Sequence, residues 1–594
     1  MKPPFFKRYA IIFGFSILAG ITIIAQLVRI NYTPFASELI AKSEGYQGVT
    51  KLVYPPRGTI YDRGGHILAT NQVGYELGID LKHVIDPESI AFAVATLIDG
   101  VEYADAYTMA STEQRKEENR YFVLSSYVSK DTIQEIENLK ENYALRRKET
   151  KSIKPSLSGL VWTPMSQRAY PEGTLASNVL GFYNYFSRET AQGVYGVEET
   201  YNRLLSGKPE LVYMPNDPHL IETLPEITPG ASLVLTIDRE IQKMLEDSLE
   251  EALAWSGAED GTIIVAAPET GEILGMATTP FFDPNNYWDY QKTFPGITPY
   301  NRAVGATYEP GSVFKVITMA AALDSGEVTP DSTYSDFSGV YWVDNTWPIF
   351  NWDGGAWGEQ TMLGCMQYSL NVCLVHLAID KLGEELFYHY LQSFGFGRST
   401  GIDLAAEANF PLRLPDNNRW VVLDLATHSF GQGIAVTPIQ MVTAISALAN
   451  DGKMMMPHVV RSVIDQGQQY NVHPQVISSP VSAETARTLT EMLAIALEEE
   501  ASVALVEGYR LAGKTGTGEI PTELGYTSSL TNASFVGWGP ADDPKFLVYV
   551  WLEKPTISQW GSEVAAPIFS NVVEKLVVLM KIPPDNIRLG IANE

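Results

Sequence analysis

The chain has 594 residues, which is too long for one ordinary domain and predicts two or three. Hydrophobic residues make up 45% and charged residues 19% of the sequence, as in folded rather than disordered proteins. A formal net charge of −28 argues against a nucleic-acid partner, because a phosphate backbone requires a basic surface.

A long apolar segment lies near the N-terminus. Residues 9–28 are almost all apolar, and roughly 20 such residues in a helix cross about 30 Å of hydrocarbon. Lys2, Lys7 and Arg8 precede the segment, so the positive-inside rule keeps the N-terminus in the cytoplasm and exports the rest. A cleaved signal peptide is the alternative, but its apolar core is normally shorter and ends in a small-x-small site. The sequence favours an uncleaved, single-pass signal anchor.

The rest of the chain divides at a proline-rich linker, residues 215–229. Before the linker, residues 57–65 open a β-patterned region with a Gly-Gly turn, and residues 86–155 show helical periodicity. This part carries no chemical motif, which favours a structural spacer. After the linker the sequence predicts a hairpin over residues 261–277 and then several helices. Three late strands are predicted over 510–514, 533–538 and 546–552, and a last helix over 567–580. Strands, then helices, then strands predict an α+β domain with an antiparallel sheet against helices.

The first chemical motif is Ser312-Val-Phe-Lys315, directly after a Pro-Gly pair and before an apolar run. Pro and Gly before such a run predict a helix start. Residues three apart share a helix face, so the Ser312 hydroxyl and the Lys315 amine can meet at the first turn. A serine with a lysine beside it is typical of acyl-transferases that use lysine as the base.

Two further motifs follow in the order that this chemistry needs. Ser369-Leu-Asn371 is predicted at a loop or helix start, and Lys514-Thr-Gly-Thr517 on a strand. Each motif alone is weak, but all three occur in one predicted domain on the required elements. A lysine acts as a base only if its pKa is lowered, and burial and a second cation both lower it. Lys514 would supply that second charge near Lys315.

Three other features are expected to be structural. The cysteines Cys365 and Cys373 would lie about 12 Å apart along a continuous helix, whereas a disulfide requires Cα atoms within about 7 Å. If the helix is continuous, they are free buried thiols. The aromatic residues between Tyr341 and Trp357 could line the acceptor side of a cleft, but core packing is the favoured interpretation. The eight histidines show no metal-ligand spacing, so no metal is expected.

With these motifs, the chain resembles the class B penicillin-binding proteins, which are peptidoglycan D,D-transpeptidases. The resemblance covers nearly the whole length. It also rests on Arg57-Gly-Thr-Ile-Tyr-Asp-Arg63, Gly196-Val-Glu198, Phe394-Gly-Phe-Gly397, Thr400-Gly-Ile-Asp403, Gly431-Gln-Gly433, Thr437-Pro-Ile-Gln440 and Ser534-Phe-Val-Gly-Trp-Gly-Pro540. Glu309-Pro-Gly-Ser312 and Phe535-Val-Gly-Trp538 resemble the septal, division-specific branch more than the elongation branch.

The resemblance implies a transmembrane helix, an elongated β-rich pedestal and a penicillin-binding transpeptidase domain of the serine β-lactamase type, which is α+β overall. We expect a cytoplasmic tail over residues 1–8, a signal anchor over 9–29 and a non-catalytic dimerisation-type pedestal over 30–229. The transpeptidase domain would follow over 230–585 and a C-terminal tail over 586–594. The bulk of the chain would lie outside the bacterial cell membrane.

The resemblance also implies residue roles in breaking a D-Ala-D-Ala amide and passing the acyl group to an amine. Ser312 is the nucleophile and Lys315 its base, and Ser369 relays a proton to the leaving D-alanine. Asn371 holds Lys315 and a substrate amide. Lys514, Thr515, Gly516 and Thr517 bind the donor carboxylate, and the backbone N–H groups of Ser312 and Thr517 form the oxyanion hole. No cofactor or metal is implied.

Partners implied by the resemblance are peptidoglycan stem peptides, β-lactams, a membrane-embedded glycan polymerase and division-complex proteins. Three alternatives stay open on the sequence. The chain could serve wall elongation, it could hydrolyse or sense β-lactams, or it could act mainly as a scaffold that activates the glycan polymerase.

Overall fold

The computed structural model describes residues 5–32, 48–53, 55–98, 100–111, 121–184, 191–215, 227–295, 300–500, 502–522 and 525–590. The chain forms two compact units: residues 1–56 with 206–230, and residues 57–205 with 231–594. Most of the predicted linker, at residues 216–226, lies outside the described residues. So do residues 1–4 and 591–594 of the predicted tails and residues 33–47 after the apolar segment.

The first unit contains the apolar helix Phe5–Tyr32 and one antiparallel strand pair, Gly48–Val53 with Glu210–Pro215. The segment Tyr9–Arg29 is long and apolar enough to cross a membrane. Ser16 and Thr22 donate their hydroxyl hydrogen bonds to carbonyl groups four residues earlier. The hydroxyls therefore add no unsatisfied donor to an otherwise apolar helix surface.

A seven-stranded sheet occupies one part of the second unit. The strands Ile60–Tyr61 and Ile67–Asp80 flank the predicted Gly-Gly turn. The other strands are Tyr121–Val128, Leu160–Ala169, Ser232–Leu235, Val460–Asp465 and Gln468–Asn471. The sheet thus joins strands from both sides of residue 230, through a parallel pairing of Ile60–Tyr61 with Ser232–Leu235.

Three helices pack beside the early strands of this sheet: Pro87–Leu97, Tyr103–Ser111 and Lys130–Thr150. Their apolar faces close a core that includes Leu77, Ile79, Val94 and Ile136. The prediction of helix over residues 86–155 is confirmed for these three segments and wrong for Tyr121–Val128. That segment reads Tyr-Phe-Val-Leu-Ser-Ser-Tyr-Val, and its aromatic and β-branched residues suit a strand.

A buried carboxylate connects distant segments of the same region. Glu198 is fully buried, and it accepts hydrogen bonds from Arg57 Nε at 2.6 Å, Arg168 Nε at 2.7 Å and the Tyr170 hydroxyl at 3.2 Å. The two guanidinium groups hold the pKa of Glu198 below its ordinary value against the opposing effect of burial. Arg57, Arg168 and Glu198 therefore form one buried ion cluster that holds three separate segments of the pedestal together.

The part of the second unit that carries the three motifs is built on a five-stranded antiparallel sheet. Its strand order is Ile273–Thr278, Asp260–Ala266, Phe546–Glu553, Gly525–Gly539 and Ala512–Thr522, so Ala512–Thr522 is an edge strand. Alternate side chains of Asp260–Ala266 enter different cores. Ile263 and Val265 pack with the helices Arg239–Ser256 and Ala566–Leu579, whereas Ile264 and Ala266 pack on the opposite side. The predicted hairpin, late strands, last helix and α+β class are confirmed.

The remaining helices and short strand pairs of the second unit surround these two sheets. Within the described residues, the remaining α-helices are Ser177–Leu180, Gly196–Thr200, Asn202–Ser206, Tyr290–Thr293, Arg302–Gly305, Lys315–Asp324, Met362–Gln367, Asn371–His376, Gly383–Ser393, Val422–His428, Pro438–Ser446, Ala483–Glu500, Gly561–Val564 and Asp585–Arg588. The pairs are Phe182–Asn184 with Gln192–Val194, Thr333–Asp336 with Gly358–Thr361, Val340–Val343 with Trp347–Phe350, and Met454–Met455 with Val476–Ser478.

Glu198→Gln should destabilise the protein by about 3–5 kcal/mol, because it leaves two buried guanidinium groups without their counter-charge. The measurement is the shift in chemical denaturation of the purified full-length protein. Glu172→Gln is the matched control, since Glu172 pairs with Arg239 at a partly exposed site and exposed pairs contribute little. An equal effect of both substitutions would contradict the assignment.

Candidate active site

Ser312 is the second residue of a short 3₁₀ turn, Gly311–Phe314, which runs directly into the buried helix Lys315–Asp324. The predicted helix start is confirmed, although its first turn is 3₁₀ rather than α, with the Lys315 N–H donating to the Ser312 carbonyl. Gly311 has φ +59°, a left-handed conformation that favours glycine. The turn leaves Ser312 partly exposed on a cleft, while Lys315 is fully buried behind it.

The Lys315 amine is held by Ser369. Its Nζ donates to the Ser369 carbonyl at 2.6 Å and to the Ser369 hydroxyl at 3.1 Å. In the described part of the chain, Ser312 and Lys315 make no hydrogen bond with each other through their side chains. The expected meeting of the two groups at the first helical turn is thus replaced by a contact of Lys315 with the second motif.

The electrostatic environment favours the neutral form of Lys315. Burial lowers the pKa of Lys315 well below its ordinary value, and the positive charge of Lys514 lowers it further. Lys514 itself is only 6% exposed. Its Nζ donates to the Thr515 hydroxyl at 3.3 Å. The two conditions that the sequence requires for a lysine base, burial and a second nearby cation, are both present.

Ser369 sits at a break between two helices, Met362–Gln367 and Asn371–His376. It has φ +54°, which is uncommon for a residue other than glycine and costs of order 1–3 kcal/mol. The left-handed turn directs the backbone so that the Ser369 carbonyl reaches Lys315. Asn371 Nδ2 donates to the Phe350 carbonyl at 3.0 Å. Within the described residues no hydrogen bond joins Asn371 to Lys315, so the expected role of Asn371 in holding Lys315 stays a prediction.

The expectation of two free cysteines is wrong. Cys365 and Cys373 form a disulfide with a Cα–Cα distance of 6.1 Å. The prediction assumed a continuous helix, but the break at Tyr368–Leu370 folds the second helix back towards the first. The Leu370 N–H donates to the Cys365 carbonyl across this break at 3.0 Å. The disulfide therefore closes the loop that carries Ser369.

The third motif lies on the edge strand Ala512–Thr522, as predicted. Alternate N–H groups of an edge strand have no partner strand, so they are available to a ligand. A Cβ on Gly516 would lie within 3.0 Å of Ser534 and Val313 side-chain atoms, and one on Gly518 within 3.0 Å of the Glu309 carbonyl. These glycines let the edge strand approach the turn that carries Ser312.

A cavity of about 740 Å³ brings the predicted residues together. Of those residues, it is lined by Ser312, Ser369, Asn371, Lys514, Thr515 and Thr517. Its volume is in the range usual for small-molecule sites. Lys315 reaches the site from behind, and Gly516 contributes its backbone to the edge strand beside the cavity.

The interpretation of the aromatic segment as core packing is wrong for four of its members. Trp342, Trp347, Phe350 and Trp352 are each more than half exposed. Phe350 and Trp352 line the cavity. The inner face of the hairpin Val340–Val343 with Trp347–Phe350 is apolar as well, so the sequence pattern could not separate a buried face from a cleft wall.

Among the cavity-lining residues that the sequence interpretation missed are Gln432, Glu519, Trp560 and Glu563. Gln432 lies within the motif Gly431-Gln-Gly433, which was noted only for the resemblance. Trp560 and Glu563 belong to no motif, and a Trp-Gly pair before a short helix gives no functional signal. Only the fold brings them to Thr517, whose hydroxyl accepts the Gly561 N–H at 3.1 Å.

Comparison with known proteins identifies the family. Residues 261–574 match the penicillin-binding protein transpeptidase domain, and residues 52–220 match the penicillin-binding protein dimerisation domain. This chain belongs to the penicillin-binding proteins. The predicted family, its order of dimerisation and transpeptidase domains and the transpeptidase class of enzyme are confirmed.

Individual relatives agree. Stage V sporulation protein D of Bacillus subtilis is 35% identical, over 89% of this penicillin-binding protein and 79% of its own length. The peptidoglycan D,D-transpeptidase FtsI of Escherichia coli K12 is 27% identical, over 99% of this chain and 94% of its own length. The crystal structure of penicillin-binding protein 2X from Streptococcus thermophilus has a TM-score of 0.71 at 23% identity, over 89% of this chain and 80% of that one. At that identity the last match shows the shared fold alone.

The acylation rate of this penicillin-binding protein should rise with pH along a limb below the ordinary lysine range, since the base must be neutral. Lys514→Gln removes the like charge, so the pKa of Lys315 should increase and the limb should move to higher pH. The measurement is the second-order rate constant for penicillin acylation against pH. Lys381→Gln, an exposed lysine away from the cavity, is the control. A limb that moves to lower pH would refute this account.

Replacing both cysteines by alanine should cost about 2–3 kcal/mol of stability from the short closed loop. It should also slow acylation, because the loop holds the Ser369 carbonyl against Lys315. Thermal unfolding and penicillin acylation are compared for the double variant and for wild-type protein before and after reduction. If acylation proceeds at the wild-type rate in the double variant, the disulfide does not position Ser369.

Proposed function

We propose that this penicillin-binding protein cross-links peptidoglycan stem peptides through an acyl-enzyme on Ser312, in septal wall synthesis. One observation carries the catalytic part: a fully buried lysine with a lowered pKa is held by Ser369 directly behind a cleft that exposes Ser312. The order of the proposed catalytic steps follows from the positions of these groups.

Lys315 serves as the base. A neutral amine has two N–H groups and one lone pair, and the carbonyl and hydroxyl of Ser369 use both N–H groups. The lone pair is left to take the Ser312 proton once substrate brings the groups together, since such contacts commonly tighten in the complex. Ser312 Oγ then forms an ester with the penultimate D-alanine carbonyl carbon, and the amide C–N bond breaks.

Ser369 passes the proton from Lys315 to the leaving D-alanine nitrogen. In the second half-reaction the acceptor amine attacks the ester carbon, its proton returns through the same groups, and Ser312 is released as the hydroxyl. The backbone N–H groups of Ser312 and Thr517 stabilise the oxyanion in both halves, where losing one donor typically costs about 10²–10³ in rate.

The donor carboxylate is bound by Lys514 with the hydroxyls of Thr515 and Thr517, and Gly516 keeps the strand close. Asn371 is left to bind a substrate amide. Its side chain lines the cavity, and its contact with the Phe350 carbonyl uses one of its two N–H groups and leaves its carbonyl oxygen available. β-Lactams are expected to acylate Ser312 in place of the donor.

We place the N-terminus in the cytoplasm and the bulk outside a bacterial cell membrane. Lys2, Lys7 and Arg8 precede the apolar segment Tyr9–Arg29, and a disulfide persists in oxidising compartments. The proposed division is a tail over 1–8, an anchor over 9–29, a pedestal over 30–229, the transpeptidase domain over 230–585 and a tail over 586–594. A membrane-embedded glycan polymerase and division-complex proteins are the proposed partners of the anchor and pedestal.

A second candidate role is wall synthesis during sporulation, because the relative at 35% identity is a stage V sporulation protein. Live-cell localisation through the growth cycle separates the two. Recruitment to the septum in dividing cells supports the division role, whereas expression confined to sporulating cells supports the second. A side-wall pattern would instead favour elongation.

Ser312→Ala should abolish labelling by a fluorescent penicillin, and Lys315→Arg should do so as well, because a guanidinium group cannot act as a base at neutral pH. The readout is the labelled band of the membrane protein, with Ser325→Ala at the end of the same helix as control. Labelling of Lys315→Arg would contradict the assignment of the base. Fast loss of label from wild type would favour a hydrolase, and normal growth supported by Ser312→Ala would favour a scaffold role.

A further inference from the structure

A buried histidine that the proposed mechanism does not use lies just before the loop of residues 431–433. His428 is the last residue of the helix Val422–His428 and is 1% exposed. Both of its ring nitrogens have partners: Nε2 lies 3.0 Å from the Gly433 carbonyl oxygen, and Nδ1 lies 3.0 Å from the Tyr388 hydroxyl. The ring therefore cannot turn without breaking a hydrogen bond.

The partners fix the directions of these hydrogen bonds. A carbonyl oxygen only accepts, so in the neutral ring the proton lies on His428 Nε2, and Nδ1 accepts from the Tyr388 hydroxyl. An indole N–H only donates, and Trp420 Nε1 donates to the Tyr388 oxygen at 2.9 Å. The groups form one directed chain that begins at Trp420 and ends at the Gly433 carbonyl.

The neutral form of the ring is the one that this chain needs. Burial lowers the pKa of His428 to about 4, so the ring is neutral at physiological pH. A second ring proton would also point at the Tyr388 hydroxyl, which already donates in that direction. His428 is therefore a fixed hydrogen-bond donor to Gly433 and not a proton carrier.

The loop that His428 holds contacts the turn that carries Ser312. The Gly311 N–H donates to the Gly431 carbonyl at 3.0 Å, and Gly311 directly precedes Ser312. The approach is close, because a Cβ on Gly431, which has φ +82°, would lie 2.2 Å from the Gly311 carbonyl oxygen. A shift of the loop would therefore shift the backbone at Ser312.

The same segment is also attached to the helix of Lys315. Thr318, three residues after Lys315, donates its hydroxyl hydrogen bond to the Ser429 carbonyl at 2.7 Å. The contact of His428 with Tyr388 adds support from a third element, the helix Gly383–Ser393. The segment thus links a rigid part of the core to the nucleophile and its base.

We propose that His428 is a positioning residue for acylation. Supported by Tyr388 and Trp420, it fixes the loop of residues 431–433, and the loop sets the backbone of Ser312 through Gly311. The inference rests on the proposed function. Since His428 is not part of the described cavity lining, it should affect the acylation step and not the noncovalent binding of a ligand.

The test separates the two steps of penicillin acylation. Progress curves at several penicillin concentrations, with full-length protein in detergent, give the dissociation constant of the noncovalent complex and the rate constant of acylation. His428→Leu removes both hydrogen bonds at similar volume, and it should lower the rate constant about 10- to 100-fold and change the dissociation constant less than about threefold.

His428→Gln should keep the rate constant within about fivefold of wild type. A glutamine amide can donate to the Gly433 carbonyl and accept from the Tyr388 hydroxyl. If His428 only packs in the core, the apolar leucine is the better replacement in a buried site. Acylation by His428→Leu that is as fast as acylation by His428→Gln therefore overturns the proposal, and so does a change confined to the dissociation constant.

Tyr388→Phe leaves His428 in place without its supporting hydroxyl and should lower the rate constant about threefold. The matched control is Tyr390→Phe on the same helix, because the Tyr390 hydroxyl donates to Asp324 instead, at 2.9 Å, and both constants should stay unchanged. If His428→Leu does not fold, Tyr388→Phe decides, and an unchanged rate constant there overturns the proposal. Failure of wild type to form any acyl-enzyme would overturn the proposed function rather than the role of His428.

Discussion

The burial of one amine constrains the whole catalytic part of this protein. Lys315 is completely enclosed, and a charged ammonium group there would lose most of its hydration. The fold favours the neutral form and satisfies it with the Ser369 carbonyl and hydroxyl. The left-handed turn at Ser369, the helix break around it and the disulfide across that break all serve this contact.

The second lysine, Lys514, places a positive charge in the cleft beside Lys315. Lys514 assists in lowering the pKa of Lys315, and in the proposed mechanism it also supplies the cation that binds the donor carboxylate. Glu519 lines the same cavity five positions further along the edge strand, so side chains of opposite charge lie at different points of one strand.

What the sequence could predict depended on distance along the chain. Ser312 and Lys315 share one turn, and Lys514 to Thr517 share one strand, so local patterns sufficed. The contact between the rings of Trp352 and Trp560 and the cluster of Arg57 with Glu198 join residues more than a hundred positions apart, which no periodicity encodes. The prediction of free cysteines was wrong for a different reason. Nothing in Tyr368-Ser369-Leu370 signals a left-handed turn, because only glycine or asparagine would have indicated one.

The close approach of the edge strand to the turn that carries Ser312 limits how the protein can evolve under antibiotic pressure. Gly516 and Gly518 leave no room for a side chain beside Ser534 and Glu309. Substitution there would displace the backbone of the proposed donor site, which β-lactams and natural donors are both expected to use. A variant that reacts more slowly with the drug would therefore also cross-link the wall more slowly. Variation that discriminates a β-lactam from a stem peptide is left to the cleft rim, where side chains project into open space.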